Sequence, residues 1–293
     1  MKTILLIGSD GQVGRELQDT LTALGRVISV NRQTMNLIDP NQIRQVIIEA
    51  KPDIIINAAA YTAVDRAESE SDLALAINGI APTIMAEESQ KIGAFLLHIS
   101  TDYVFDGTKN TPYLEDDLTH PLSVYGQTKL IGETGIQKAS DRYIILRTAW
   151  VYGTYGKGNF VKTMLRLGQE KEQLRIVADQ VGSPTWARDI AEAIAQLLLT
   201  VNLIETSEIY HFTNSGVTSW YDFAVAIFEE AENLGFPIQV KQVIPITTAD
   251  YPTPAKRPAY SVLSGQKITS ILGNYPPYWR NSLKQMLKQL CNN

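Results

Sequence analysis

Short apolar segments alternate with helical patterns through the first half of the chain. The apolar runs lack the strict alternation of a half-buried strand and are typical of strands buried on both faces of a parallel sheet. They predict strands at residues 3–7, 26–30, 53–57, 95–100 and 143–146. The intervals carry apolar residues at helical spacing and predict helices at residues 13–24, 40–50, 73–92 and 125–137. This alternation predicts right-handed crossovers and an α/β fold, a Rossmann-like doubly wound parallel sheet.

The pattern loosens from about residue 150, where loops rich in Gly, Pro and Thr interrupt the helices. Helices are predicted at residues 160–167, 187–199 and 219–232, and a lone strand at residues 208–212. We expect a smaller C-terminal substrate lobe that is interleaved with the first lobe. Residues 1–150 plus roughly 187–213 would form the dinucleotide-binding domain, and roughly 151–186 plus 214–293 the substrate-binding lobe.

Composition narrows the class of protein. The chain has 293 residues, a formal net charge of −5 and no block of basic residues, so no nucleic-acid partner is expected. Its single cysteine, Cys291, suits a reducing compartment, and its three scattered histidines argue against a zinc site. The N-terminal apolar run is too short for a signal peptide, and no run approaches membrane-spanning length. These features predict a soluble cytoplasmic protein with no membrane partner.

Glycines follow the first predicted strand in the segment "GSDGQVG". Gly8, Gly11 and Gly14 would allow a tight turn and a close approach of backbone N–H groups to a pyrophosphate at the start of a helix. The spacing differs from the G-x-G-x-x-G fingerprint, and turn chemistry alone also accounts for such glycines. The strand–turn–helix context favours a dinucleotide site.

The end of the second predicted strand bears on the choice of dinucleotide. An acidic residue there would accept a hydrogen bond from the ribose 2′-OH of NAD. This chain has Asn31, which is uncharged, followed by Arg32, a cation that could meet a 2′-phosphate. The sequence therefore predicts NADPH, with NADH left open, and a solvated loop arginine is the alternative interpretation of Arg32.

Hydroxyl and carboxylate side chains follow the fourth predicted strand in "STDYVF". Strand ends at that edge of an open α/β sheet are where ligands bind, so Ser100, Thr101 and Asp102 are candidates there. Tyr125 and Lys129 lie one helical turn apart further along the chain. A free tyrosine has a pKa near 10, so its use in proton transfer needs a stabilised anion, which a lysine ammonium can supply.

Together these segments resemble the extended short-chain dehydrogenase/reductases, and within them the dTDP-4-dehydrorhamnose reductase family. The resemblance covers essentially the whole chain and is carried by "GSDGQVGREL", "STDYVFDG", "YGQTKLIGE", "DQVGSPT" and "YPTPAKRP". It implies NADPH-dependent reduction of the C4 ketone of dTDP-4-dehydro-L-rhamnose (dTDP-6-deoxy-L-lyxo-4-hexulose) to dTDP-L-rhamnose, a precursor of polysaccharides such as O-antigen. Dehydratase relatives carry a glutamate after the strand-end aspartate, whereas Tyr103 follows Asp102 here, which favours simple reduction.

The resemblance also implies roles for single residues. It implies a catalytic set of Thr101, Tyr125 and Lys129. Cofactor contacts are expected at Gly8, Gly11, Gln12, Val13, Gly14, Asn31, Arg32, Ala60, Tyr61, Thr62, Tyr125 and Lys129. Substrate contacts are expected at Thr101, Asp102, Tyr125 and Trp150, with Asn78 matching a helix asparagine of the superfamily. Some members bind Mg²⁺ through acidic residues at a dimer interface; only Glu16 fits here, so no metal is predicted, and a homodimer stays open.

Two other functions remain open from the sequence. The same fold includes a non-catalytic regulatory subunit of methionine adenosyltransferase, and sibling enzymes reduce or epimerise other nucleotide sugars. The loop cations Lys157, Lys256 and Arg257 are either diphosphate contacts or solvated loop residues. The aromatic side chains of "NYPPYW", Tyr275, Tyr278 and Trp279, are interpreted as core or interface aromatics, with a base-stacking site as the alternative.

Overall fold

The structure is a computed structural model that describes residues 1–292. Its strands are β1 (Lys2–Ile7), β2 (Gly25–Val30), β3 (Ile54–Asn57), β4 (Phe95–Thr101), β5 (Tyr143–Thr148), β6 (Val151–Tyr152), β7 (Gln173–Val177), β8 (Val181–Gly182), β9 (Thr185–Trp186), β10 (Ser207–His211), β11 (Thr218–Ser219) and β12 (Gln242–Ile246). Its helices are α1 (Gln12–Thr20), α2 (Pro40–Ala50), α3 (Val64–Ala67), α4 (Ser71–Leu75), α5 (Ala81–Ile92), α6 (Val124–Ala139), α7 (Phe160–Glu170), α8 (Ala187–Thr200), α9 (Trp220–Asn233), α10 (Gln266–Leu272) and α11 (Trp279–Cys291). A π-helical turn, Ala76–Ile80, joins α4 to α5.

A six-stranded sheet organises the molecule, with the strand order β10-β5-β4-β3-β1-β2. Every neighbouring pair in it is parallel. The chain runs from β1 outward to β2 and then crosses to β3 on the other side of β1. The strand order therefore reverses between β1 and β3, which is where open α/β sheets bind ligands. The predicted doubly wound parallel sheet is confirmed.

Each central strand supplies both faces of the sheet with apolar side chains. Ile4 and Leu6 lie in the cluster that includes α1 and α8, whereas Leu5 and Ile7 lie in the cluster that includes α2 and α5. Successive side chains of a strand point to opposite faces, so a strand covered on both faces needs apolar residues at consecutive positions. This explains why the predicted strands are uninterrupted apolar runs.

The second half of the chain contains an apolar cluster of its own, which includes residues of α7, α9 and α11. Three pairs of short strands accompany it: β12 with β7, β11 with β8, and β6 with β9. In contrast, α8 packs in the cluster of the large sheet, and β10 is an edge strand of that sheet. The interleaved division into two lobes stays a prediction.

Element bounds differ from the predictions at a few places. Helix α1 ends at Thr20, and the predicted helix at residues 73–92 contains the π-helical turn. The two-residue strands β6, β8, β9 and β11 escaped prediction because so short a segment has no period. Helix α11 was also missed, although it buries Trp279, Leu283 and Leu287 at helical spacing. Within residues 1–292, no helix is long and apolar enough to cross a membrane.

Candidate active site

The glycine turn between β1 and α1 lies against the segment that follows β3. Gly8 has a φ of +83°, and a Cβ there would lie 2.7 Å from the backbone nitrogen of Ala59. A Cβ on Gly14 would lie 2.1 Å from the carbonyl oxygen of Gly8. Both positions therefore require glycine. Gly11 is the N-cap of α1 and provides no side chain that would occupy the helix N-terminus, so the turn fits a dinucleotide pyrophosphate.

A loop from the second half of the chain lies across the first turn of α1. The Asn159 side chain donates to Gln12 Oε1 at 2.7 Å and to the Gly153 carbonyl at 2.8 Å. A Cβ on Gly156 would lie 2.8 Å from Gln12 Cγ. Val13 is buried beneath the turn. Gln12 thus lies at the predicted cofactor site, and Asn159 is a neighbour that sequence reasoning did not find.

A carboxylate lies next to the end of β2 despite the absence of an acidic residue on that strand. The Asn31 side chain donates to Asp10 Oδ2 at 2.8 Å, and Arg15 lies 3.4 Å from the same carboxylate. Arg32 is exposed beside them. Asp10 comes from the glycine turn, so a search for an acid at the end of β2 missed it. The end of β2, where the ribose is predicted to bind, therefore combines one carboxylate with two cations.

Asn78 fixes the segment that follows β3. Its side chain accepts from the Tyr61 N–H at 2.8 Å and donates to the Tyr61 carbonyl at 3.1 Å. It also lies 3.3 Å from Thr128 Oγ1 on α6. This pairing fixes Tyr61 in the segment whose Ala58 and Ala59 lie against Gly8. Cofactor contacts of Ala60, Tyr61 and Thr62 stay predictions. The Tyr61 hydroxyl donates to Glu70, and that hydrogen bond raises the pKa of the phenol.

Thr101 and Asp102 lie at the C-terminal end of β4. The Thr101 hydroxyl donates to Asp102 Oδ1 at 3.0 Å and accepts from the Tyr103 N–H at 3.2 Å. Asp102 is 1% exposed, and within residues 1–292 its Oδ2 has no hydrogen-bond partner. Burial raises the pKa of its carboxyl to about 6, although the hydroxyls of Ser261 and Thr101 partly oppose the shift.

Tyr125 lies in the first turn of α6, directly beside the end of β4. Ser123 caps the helix by accepting from the Gly126 N–H at 3.3 Å. A Cβ on Gly126 would lie 2.2 Å from the Tyr103 carbonyl oxygen, so glycine permits the close approach. The ring of Tyr125 meets that of Tyr103 edge to face, with centroids 5.4 Å apart. Burial raises the pKa of Tyr125 to about 12, and a hydrogen bond with Thr101 acts in the opposite direction.

Lys129 lies one turn after Tyr125 and is 1% exposed. Its Nζ donates to the Ile99 carbonyl at 2.7 Å and lies 3.0 Å from His98 Nε2. Burial lowers the pKa of Lys129 to about 8, while the Glu133 carboxylate acts to raise it. The predicted catalytic residues Thr101, Tyr125 and Lys129 are therefore brought together at one edge of the sheet. In this structure the Lys129 amine faces β4.

Trp150 follows β5 and is held by the second half of the chain. Its indole stacks on Trp220 with ring centroids 3.5 Å apart, and a Cβ on Gly182 would lie 2.6 Å from it. Its φ of +48° lies in a region that non-glycine residues rarely occupy, and such strain clusters at functional sites. Its contact with a substrate stays a prediction.

The predicted loop cations differ in their surroundings. Arg257 makes a two-pronged ion pair with Asp65, at 2.7 and 3.1 Å. Its pairing hydrogen bonds lower the pKa of Asp65. Lys157 and Lys256 are exposed. In residues 1–292, no group of three or more His, Cys, Asp or Glu side chains is placed to hold a metal ion.

Comparison with known proteins identifies the family of this chain. A family model described as the RmlD substrate binding domain matches residues 1–292. The chain belongs to this family. A dTDP-4-dehydrorhamnose reductase from Burkholderia thailandensis is 43% identical and aligned over 99% of both chains. The spore coat polysaccharide biosynthesis protein SpsK of Bacillus subtilis is 43% identical, over 99% of this chain and 98% of SpsK.

Solved structures of RmlD family members show the same architecture. The dTDP-4-dehydrorhamnose reductase of Bacillus anthracis, solved in complex with NADP, superposes with a TM-score of 0.90. It is 37% identical, and the match covers 98% of this chain and 99% of that one. An ortholog from Clostridium acetobutylicum gives a TM-score of 0.91 at 39% identity, with 99% of each chain covered.

Proposed function

We propose that this protein uses NADPH to reduce the C4 ketone of dTDP-4-dehydro-L-rhamnose to dTDP-L-rhamnose, a precursor of polysaccharides such as O-antigen. The observation that carries the proposal is the position of Tyr125, in the first turn of α6 and packed on Tyr103, next to Thr101 at the C-terminal end of β4. This pair lies in a chain aligned end to end with proteins named as reductases of this sugar. The names of these relatives do not favour the alternative function, a non-catalytic regulatory subunit of methionine adenosyltransferase.

Each catalytic residue has a distinct role in this reaction. A bound reduced nicotinamide would supply the hydride. Tyr125 donates its proton to the alkoxide oxygen that forms at C4, and its raised pKa keeps the phenol protonated beforehand. Thr101 holds the carbonyl oxygen, and Lys129 stabilises the phenolate and orients the cofactor ribose. The glycine turn and the Asn78-bound segment hold the dinucleotide.

The proposed substrate side is formed by Asp102 and by the second half of the chain. The unpartnered Oδ2 of Asp102 can meet a sugar hydroxyl. Trp150, stacked on Trp220, offers an apolar surface at the boundary between the two halves. We propose that residues 151–186 and 214–293 act as the substrate lobe. The position after Asp102 holds Tyr103, whose ring packs on Tyr125, so no glutamate is present there for water elimination.

Location and assembly belong to the same proposal. The single cysteine, Cys291, is free and exposed, which suits a reducing compartment. We therefore propose the cytoplasm as the site of action. A homodimer stays a prediction.

The test is a turnover assay on the purified protein with NADPH and dTDP-6-deoxy-L-lyxo-4-hexulose. We expect oxidation of NADPH and formation of dTDP-L-rhamnose, identified by NMR. Tyr125→Phe should lower kcat by roughly 10²–10⁴-fold, because a positioned proton donor contributes that much. Tyr275→Phe, at a tyrosine that is 74% exposed, is the matched control and should leave kcat unchanged.

The outcomes separate the candidate functions. Absence of NADPH oxidation, or a Tyr125→Phe variant within a few-fold of the parent, would overturn the proposal. Turnover of a different nucleotide sugar in preference to this one would favour a sibling reductase.

A further inference from the structure

A buried chain of hydrogen bonds connects Lys129 to the segment after β3. Lys129 Nζ lies 3.0 Å from His98 Nε2, and His98 Nδ1 lies 2.9 Å from Asn57 Nδ2. The other amide atom, Asn57 Oδ1, accepts from the Ala59 N–H at 3.1 Å. Asn57 and His98 are 0% exposed. The reduction described above gives neither of these residues a role.

The N–H of Ala59 determines which atom donates and which accepts in each of these hydrogen bonds. Because Asn57 Oδ1 already accepts from an N–H, the Asn57 amide presents its NH₂ group to the imidazole. His98 Nδ1 must then accept, and a neutral imidazole that accepts at one nitrogen carries its proton on the other. Burial lowers the pKa of His98 well below its ordinary value, so the ring is neutral. The proton therefore lies on Nε2, pointing at Lys129.

This arrangement conflicts with a charged Lys129. An ammonium group has only donors, so it cannot accept from His98 Nε2–H. A neutral amine can accept there through its lone pair and still donate to the Ile99 carbonyl, which lies 2.7 Å away. The hydrogen-bond directions thus favour the neutral amine.

We propose that Asn57 and His98 are positioning residues that stabilise the neutral amine of Lys129 relative to its ammonium in the ligand-free protein. Protonation of Lys129 then breaks one buried hydrogen bond, either between Lys129 and His98 or, if the ring changes tautomer, between His98 and Asn57. Its significance for turnover rests on the proposed function, in which Lys129 contacts cofactor and phenolate. The hydrogen-bond argument itself does not.

The charged groups around Lys129 are consistent with this state. Glu133, one turn further along α6, favours the ammonium. Its carboxylate, however, is paired with Arg147 at 2.7 Å and also accepts from Ser100, so its charge is largely compensated. On the other side, Tyr125 is a neutral phenol and Asp102 has a raised pKa. Burial lowers the pKa of Lys129 to about 8.

The direct test is the tautomer of His98 in the ligand-free protein. Nitrogen-15 NMR of histidine-labelled protein distinguishes a protonated from an unprotonated ring nitrogen, and His120 and His211 serve as internal references. The spectrum of His98→Leu assigns the signal by its loss. We expect Nε2 protonated and Nδ1 unprotonated at about pH 9, above the pKa of Lys129, which is about 8. A proton on Nδ1 would overturn the proposal, and this result does not depend on turnover of any sugar.

The second test is the pH profile of kcat/KM for reduction. A step that needs charged Lys129 loses rate as pH rises through the pKa of Lys129 in the free enzyme. His98→Leu removes the donor that stabilises the neutral amine. The apparent pKa of this alkaline limb, above which kcat/KM falls, should therefore rise by about one pH unit. If His98 accepted from an ammonium instead, the limb would move down, which contradicts the proposal.

Two further variants make the test robust. His211→Leu removes another buried histidine of the same sheet, one that contacts Arg147 rather than Lys129, and should leave the limb in place. Asn57→Asp presents an acceptor to Nδ1, so it should move the ring proton to Nδ1 and raise the limb. An Nε2 proton retained in Asn57→Asp would show that Asn57 does not set the tautomer.

Discussion

At the scale of single residues, the site depends on side chains whose charge is set by their surroundings. Asp102, Tyr125 and Lys129 all lie where burial disfavours ionisation, and each has its pKa shifted toward the neutral form. A proton donor benefits from this, because the phenol stays protonated until the alkoxide forms. Because burial shifts each pKa, substitution of any of these residues should change a measurable pH dependence.

Because Asp102 is buried, the free energy of unfolding should fall as pH rises between about 4 and 6. Its folded-state pKa, about 6, exceeds the ordinary value of 3.8, so the folded protein binds the extra proton in that window. Ionisation of the buried carboxylate then costs up to about 3 kcal/mol, fully developed above pH 6. Asp102→Asn should remove this slope in urea unfolding measured as a function of pH.

Asp106→Asn is the matched control for that slope. Hydrogen bonds from Thr108 lower the pKa of Asp106, so its carboxylate stabilises the fold above its ordinary pKa and loses that effect in acid. The two variants should therefore change the pH dependence in opposite senses. Identical slopes for parent and Asp102→Asn would contradict the predicted burial effect.

Asp10 should limit the affinity for a 2′-phosphate. Its carboxylate accepts from Asn31 and pairs with Arg15, at the place where a ribose-binding acid is expected. Asp10→Asn removes a negative charge and releases Arg15, so the Kd for NADP⁺ should fall about 5-fold, or about 1 kcal/mol at a partly exposed site. Calorimetric titration with NADP⁺ and NAD⁺ measures the preference.

Asp19→Asn provides the comparison for Asp10, since it removes the same charge from an exposed position at the far end of α1. It should change neither affinity. An unchanged NADP⁺ to NAD⁺ ratio in Asp10→Asn would show that the carboxylate does not face the ribose.

At the scale of elements, helix α6 combines three functions. Glycines on its inner face let it approach neighbouring backbone, with a Cβ on Gly132 only 2.2 Å from the Asn78 carbonyl oxygen. Its first turn carries Tyr125, and its next turn carries Lys129. The π-helical turn at Ala76–Ile80 packs against the same helix and carries Asn78. This packing places both residues of the Tyr-x-x-x-Lys motif next to the end of β4.

Asn78→Ala should loosen the segment after β3, where cofactor contacts are predicted. The change removes both hydrogen bonds to the Tyr61 backbone and leaves its partly buried N–H and carbonyl without these partners, at a cost of about 1 kcal/mol in the free energy of unfolding. We expect a higher KM for NADPH with a smaller change in kcat. Asn202→Ala, at an exposed turn, is the control and should alter neither the KM for NADPH nor kcat. An unchanged KM would contradict the role.

The sequence predicted most of the large elements because their signal is local. Apolar runs predicted all six strands of the sheet, and helical spacing predicted α1, α2, α5 to α9. The two-residue strands are defined by partners distant in sequence, so no local pattern indicates them. Helix α11 did carry a usable signal in the spacing of its buried residues.

At the scale of the molecule, contacts join the two halves of the chain beside the candidate site. Asn159 lies on Gln12, and Arg257 pairs with Asp65. Within the second half, Asn214 joins the buried carboxylate of Asp189 on α8, which packs on the large sheet, to Ser282 on α11, which packs in the second apolar cluster. A substrate bound between the halves would thus meet surfaces that are fixed relative to each other.

The Arg257–Asp65 pair should hold its loop in place without adding much global stability. Both partners are partly exposed, and such pairs contribute at most about 1 kcal/mol. Arg257→Ala should therefore change the Tm little, yet raise limited proteolysis near residues 251–257 several-fold. Lys256→Ala, at the exposed neighbour, should leave the cleavage rate unchanged. Equal rates for both variants would contradict the loop-holding role.

The sequence by itself determined the sheet, the glycine turn and the chemical types gathered at the edge of β4, because each follows from a local pattern or from the rule that places ligands at strand ends. Only the tertiary structure decided that Asp10 meets Asn31, that His98 meets Lys129 and that Trp150 stacks on Trp220. These pairs join residues far apart in the chain, and no periodicity links them. The protonation states that the chemistry requires depend on such contacts, since burial and hydrogen-bond direction are properties of the packed molecule.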